Sequence, residues 1–181
     1  MPRIKAVDPA TATGEAKKTL DAVQQKMGRV PNIFQLMANS PAAVQGYLNF
    51  SEALSKGLLD PQVRERIAIV CAETNHCQYC LSAHVAIGKA VGLSDDELTR
   101  AREIRSADPK TTAALTFVRN LILRRADLPN DDLELLREAG FTDGEICEIV
   151  ANVALNIFTN YFNHIAQTEV DFPKVELAFP V

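Results

Sequence analysis

Apolar residues recur along most of this chain at intervals of three and four, the period that turns one face of an α-helix inward. The periodicity and its punctuation predict helices near 10–27, 41–56, 61–74, 77–91, 95–105, 109–126, 131–139 and 143–168. Ser40-Pro41, Asp60-Pro61 and Asp108-Pro109 each set a capping side chain before a proline, whose fixed φ suits the first helical position. Ser94 with Glu97, and Thr142 with Glu145, have the spacing of a capping box. Gly28, Gly57, Gly92 and Gly140 stand where periodic segments stop, as left-handed C-caps do. Alternating apolar and polar runs and Asn-Gly hairpin signals are absent, so the predicted fold class is all-α.

A shift of 83 positions reveals a weak internal similarity. It pairs Asp60 with Asp143, Val63 with Ile146, Glu65 with Glu148, Ala68 with Ala151, Val70 with Val153 and Ala83 with Ala166. Under the same shift Cys77, Cys80 and His84 fall on Asn160, Asn163 and Gln167, so the second copy keeps the helical pattern without its thiols. Chance likeness between two amphipathic helices explains the match equally well. The expected organisation is one domain over 1–181, with a helical N-terminal arm at 1–40, a core at 60–105, a candidate second repeat at 109–168 and a tail at 170–181.

Composition narrows the classes of function. With 181 residues, 47% of them hydrophobic, the chain can bury one substantial core. Its 19 Lys+Arg against 23 Asp+Glu, a net charge of -4, present no basic footprint for nucleic acid or an anionic membrane. The segment Met1 to Asp8 has no apolar signal core, and the longest apolar run, Ile67 to Ala72, is too short to span a bilayer; a cytoplasmic protein is expected. In that setting a closely spaced cysteine pair points to catalysis or metal rather than to a structural staple.

The pair is Cys77-Gln-Tyr-Cys80, followed by Leu-Ser-Ala-His84. On a helix these spacings place two thiols and an imidazole in one stripe, and the first turn, with its unpaired N–H groups, favours a thiolate over a thiol. A redox dithiol with its own base follows. Two other readings stay open: a zinc site using His76, Cys77, Cys80 and His84, or two buried structural thiols. Haem attachment is excluded because Leu81 follows Cys80, and a thioredoxin-like site because no strand precedes the pair. Glu65, twelve residues before Cys77, meets the dithiol if a turn near Asn75 and His76 folds the two helices into a hairpin; Glu73 is the rival carboxylate. Cys71 and Cys147 read as inert core or interface residues, and His164 as structural. Asn152, Asn156, Asn160 and Asn163 recur at helical spacing and read as a subunit contact or a solvated face.

The set Glu65, Cys77-x-x-Cys80, His84 resembles the core motif of the alkylhydroperoxidase D-like superfamily, also called carboxymuconolactone decarboxylase-like. Gly28-Arg-Val-Pro-Asn-Ile-Phe34, and the segment from Thr159 to Pro173, are similar to its peroxidase-related branch. The resemblance implies a thiol-dependent peroxidase in which Cys80 attacks the peroxide, Cys77 captures the sulfenic acid as a disulfide, and His84 with Glu65 relays protons. Thiolate attack on an O–O bond needs such a base and acid, and a nearby resolving thiol prevents over-oxidation. Alkylhydroperoxidase D has a histidine just before its second cysteine; Tyr79 stands there in this chain, to hydrogen-bond or to pack. A decarboxylase-like lyase and a non-enzymatic redox sensor are the alternatives.

No Gly-rich dinucleotide fingerprint is present, so no bound cofactor is expected, and reduction falls to an external dithiol, a lipoyl-bearing or thioredoxin-like protein. The resemblance also implies a homotrimer or homohexamer. The apolar tail residues Phe172, Val175, Leu177, Phe179 and Val181 are expected to seek cover on a neighbouring chain.

Overall fold

The run from Ile67 to Ala72 has no polar face, and in the computed structural model of the protein it lies inside a helix with helices around it. The structure describes residues 1–178. Among them, in order, are α1 (Gly14–Met27), α2 (Asn32–Met37), α3 (Pro41–Ser55), α4 (Pro61–Thr74), α5 (Gln78–Ala90), α6 (Asp95–Arg102), α7 (Pro109–Leu123), α8 (Asn130–Glu138) and α9 (Asp143–Ala166), with no strand. Helix α4 is the axis, buried from Arg66 through Glu73 and packed by α5, α6, α7 and α9. A helix apolar all round requires such cover. Its two buried charges are both answered by neighbours on or beside α6: Arg66 Nη2 donates to Glu97 at 2.9 Å and Arg102 Nε donates to Glu73 at 2.5 Å. These ion pairs tie α6 along α4, and each is hydrogen-bonded as a partly buried charge must be.

The capping chemistry explains most helix starts. Asp60 accepts from the Gln62 N–H, Asp108 from those of Lys110 and Thr111, and Thr142 with Glu145 forms a complete capping box. At α6 the expected box is only half made. Ser94 accepts from the Glu97 N–H, but the Glu97 carboxylate turns away to Arg66, Ser106 Oγ and the Ala107 N–H. Burial works to raise the Glu97 pKa, yet these donors outweigh it and hold the carboxyl below its ordinary value.

Other departures have local causes. Helix α1 begins at Gly14 rather than near 10 because Asp8 folds residues 8–12 into a turn, accepting from the Ala10 N–H. Helix α2, unpredicted, has six residues, too few to show a period, and follows Pro31. Helix α7 stops at Leu123, and Arg125 and Ala126 then adopt positive φ. Gly28, Gly92 and Gly140 are left-handed as expected; Gly57 is not. Gly57 is instead a close approach: a Cβ there would lie 2.5 Å from the Glu148 carboxylate that accepts from the Leu58 and Leu59 N–H groups.

Helices α4 and α5 form an antiparallel hairpin across a turn at Asn75 and His76, with His76 at φ 53°. The 83-residue shift sets that turn against an uninterrupted stretch of α9. The tail is not free. Val170, Phe172, Val175 and Leu177 pack on the chain's own core, Ser82 Oγ accepts from the Val175 N–H, and Gln78 donates to Glu176. The chain's own core thus covers part of these residues; Phe179 and Val181 lie outside the described residues.

Candidate active site

Cys77 is the N-cap of α5, its sulfur accepting from the Cys80 N–H at 3.3 Å in the place an oxygen usually takes. The two residues form a disulfide with Cα atoms 5.3 Å apart, both almost fully buried. The helix break at Asn75-His76 is what makes this geometry, because it puts the first, N–H-rich turn of a helix under the thiols. His84, one turn beyond Cys80, has Nδ1 2.8 Å from Glu65 Oε2 across the hairpin, with both side chains partly buried. Glu73 is elsewhere, bound to Arg102 and accepting from the Ala178 N–H.

Cys80 and His84 open into a cavity of about 70 Å³ whose walls are mostly apolar: Ile33, Phe34, Tyr47, Ile87 and Phe172. The segments 28–34 and 159–173, separate in sequence, build its far side together. Arg29 Nη1 donates to Asp171 at 2.9 Å and stacks 4.3 Å over the Phe172 ring, while the Asn32 N–H donates to the same carboxylate. Tyr79 accepts from the Ile33 N–H at 3.3 Å and meets Phe172 edge to face at 5.7 Å. Burial pushes the Tyr79 pKa up, and the neighbouring Asp171 adds to the rise, so its hydroxyl stays protonated. Tyr79 thus both hydrogen-bonds and packs.

Two contributors were not read as site residues. Asn163 on α9 is buried and donates from Nδ2 to Cys80 Sγ at 3.2 Å. The asparagine series is therefore neither a subunit contact nor a solvated face: Asn152, Asn156, Asn160 and Asn163 all point inward, and Asn160 accepts from Asn75 at the α4–α5 turn. The shift that pairs Cys80 with Asn163 was the available signal. Tyr47 on α3 is the other; burial, then the Glu65 charge, pushes its pKa up to about 12.

The remaining candidates separate cleanly. Cys71 is fully buried, and burial pushes its thiol pKa up, which keeps it inert. Cys147 is exposed on α9, not in the core. His164 Nε2 donates to the Asn75 carbonyl at 2.7 Å and steadies the turn. Among the described residues no three of His, Cys, Asp and Glu converge as a metal site, so His76, Cys77, Cys80 and His84 are not gathered as ligands. No helix among them is long and apolar enough to cross a membrane.

Residues 41–120 match the carboxymuconolactone decarboxylase family. No curated protein matches the chain in sequence. A solved alkylhydroperoxidase AhpD core, an uncharacterized peroxidase-related protein from Ralstonia eutropha JMP134, is 25% identical with a TM-score of 0.84, covering 94% of this chain and 92% of its own. A peroxidase-related protein from Silicibacter sp. TM1040 is 24% identical with a TM-score of 0.79, covering 93% and 94%. The debrominase Bmp8 in complex with 2,3,4-tribromopyrrole shares the fold at 17% identity and a TM-score of 0.80, covering 93% and 91%. Residues 41–120 thus carry the pattern of the carboxymuconolactone decarboxylase family, and the chain as a whole is similar to the alkylhydroperoxidase AhpD core.

Proposed function

We propose that the protein is a thiol-dependent peroxidase of the peroxidase-related branch, reducing hydrogen or organic hydroperoxides. The observation that carries this is the Cys77–Cys80 disulfide on the first turn of α5, beneath an apolar cavity and beside the Glu65–His84 pair. The Cys80 thiolate attacks one peroxide oxygen, the O–O bond breaks, and the departing alkoxide takes a proton from His84, whose ring Glu65 orients. Cys77 then attacks the Cys80 sulfenic acid, hydroxide leaves as water, and the disulfide forms. The balance is two thiols and one hydroperoxide to one disulfide, one alcohol and one water. An external dithiol restores the thiols. The apolar walls suit an organic hydroperoxide as well as hydrogen peroxide.

Mass spectrometry of trapped thiols after one equivalent of peroxide tests the reading: loss of two thiols per chain with a Cys77–Cys80 bond supports it, and unreacted thiols refute it. The aromatic lining from Phe34, Tyr47, Tyr79 and Phe172 favours one second reading. The same two electrons would replace a ring-bound halide by hydrogen, giving halide, one proton and the disulfide, and a halogenated pyrrole in the same assay separates the two.

A homotrimer or homohexamer is part of the proposal. Its physical motive is the exposed stripe Val150, Phe158, Tyr161 and Ile165 on α9, an apolar helix face of the kind that oligomers cover. Light scattering at the single-chain mass of 19.8 kDa would refute it.

A further inference from the structure

A cavity of about 530 Å³ lies where the C-terminal ends of α4 and α6 meet α7 and the tail. Neither cysteine of the pair lines it, and the chemistry proposed above uses none of its side chains. Its volume falls within the range of about 300–1,000 Å³ usual for small-molecule sites, whereas the cavity at Cys80 has about 70 Å³. We infer that it is a binding site for an amphipathic organic monocarboxylate, with the carboxylate on Arg119 and the hydrocarbon chain against Ile104 and Leu123.

The charges around the cavity select the head group. Glu73 and Arg102 answer each other, and Glu73 also accepts from the Ala178 N–H. Glu103 is paired with Arg105. Arg119, exposed on α7, has no ion-pair partner among the described residues. Its planar fork of donors matches a carboxylate with two parallel hydrogen bonds. Glu73, Glu103 and the C-terminal ends of α4 and α6 make the background negative. One charge answered by a guanidinium is tolerated there, while the second charge of a phosphate ester meets repulsion.

The walls select the rest of the molecule. Leu123 lies one turn beyond Arg119 on the same face of α7 and is 56% exposed, so an apolar surface begins beside the free cation. Ile104 continues that surface from α6. It stands at φ 61°, which a β-branched residue rarely adopts and glycine holds freely. Its N–H donates to the Ala101 carbonyl and that of Arg105 to the Arg100 carbonyl, the two bonds of a Schellman cap, where glycine is usual. Isoleucine at this position gives the cavity an apolar wall that glycine would lack, and residues held in such strain gather where ligands are clamped.

Titration calorimetry of the full-length chain with octanoate tests the inference without peroxide or reductant, so the peroxidase reading can fail or stand independently. Octanoate should bind saturably, one per chain. Arg119→Gln should weaken it about tenfold, the scale of one hydrogen-bonded charge partner, with circular dichroism unchanged because the side chain is exposed. Ile104→Gly should weaken it about fivefold through lost apolar contact. The neutral 1-octanol should bind more weakly than octanoate and not respond to Arg119→Gln, and octyl phosphate should also bind more weakly than octanoate. Ile87→Trp, at the mouth of the Cys80 cavity, should leave the octanoate Kd unchanged. Non-saturable binding, a wild-type Kd in Arg119→Gln, 1-octanol or octyl phosphate binding as tightly as octanoate, or loss of binding in Ile87→Trp would overturn the inference.

Discussion

The α4–α5 hairpin and helix α9 show the same helical pattern at a distance of 83 residues, but they fold differently. The first breaks at Asn75-His76 and places Cys77 and Cys80 on a fresh helix N-terminus; the second runs unbroken from Asp143 to Ala166 and places Asn163 against Cys80. The thiol is therefore served from two sides. An interrupted helix supplies the unpaired N–H groups that favour a thiolate, and a continuous one supplies a rigid amide held in place by its neighbours. Polar residues buried along α9 serve the hairpin, not the surface.

The sharpest way to break this division of labour is at the hairpin. Cys80→Ser should abolish turnover, while Cys77→Ser should consume about one equivalent of peroxide and halt at sulfenic acid, as trapping with a dimedone-type reagent reads out. Equal residual turnover in both would assign the sulfurs wrongly. Next come the relay partners. Glu65→Gln and His84→Ala should each lower kcat/KM on the order of 10²-fold, with a double variant losing less than the product if the pair acts as a unit. An unaltered rate in Glu65→Gln would remove the carboxylate from the mechanism.

On the α9 side the effects are smaller. Asn163→Ala should raise the Cys80 thiol pKa in the reduced enzyme and slow thiolate attack about tenfold, the scale of one hydrogen bond to a charged group. An unchanged thiolate absorbance titration would sever α9 from the chemistry. Thr142→Ala removes the capping box of α9 and should cost about 1 kcal/mol, lowering Tm by roughly 2–4 °C without altering the pH profile of the thiol. Loss of activity beyond that stability change would mean that α9 position, not merely its presence, sets the site.

Tyr47 offers the mildest test. Burial, then the Glu65 charge, pushes its pKa from the ordinary 10.0 up to about 12, so the folded state holds the proton more tightly. Its stabilising contribution is complete below pH 10 and is lost as pH rises towards about 12. Urea melts of Tyr47→Phe should lose stability less steeply over that window than those of the wild type, and parallel curves would show that Tyr47 ionises freely.

Much of the fold was legible because helix ends carry local chemistry. Asp60, Asp108 and Thr142 cap as their sequence contexts require, and the apolar run in α4 announces its burial. Gly57 and Glu97 were misread for the opposite reason: each is governed by a group distant in sequence, the Glu148 carboxylate in one case and Arg66 in the other. The site divides the same way. Spacing on one helix linked Cys77, Cys80 and His84, and spacing also favoured Glu65 over Glu73, its rival on the preceding helix. Packing separates them, giving Glu73 to Arg102 and Glu65 to His84.

The chain by itself determined where most helices begin, which one is buried on all sides and which residues form a dithiol stripe, since these follow from periodicity and from caps within a few residues. Only the tertiary structure decided that Asn163 faces Cys80, that Arg29 and Asp171 join two distant segments around Tyr79, and that each cysteine of the pair opens to a different space. Those outcomes depend on how α9 and the tail fold back over α5, and contacts between residues far apart in sequence leave no local period to read.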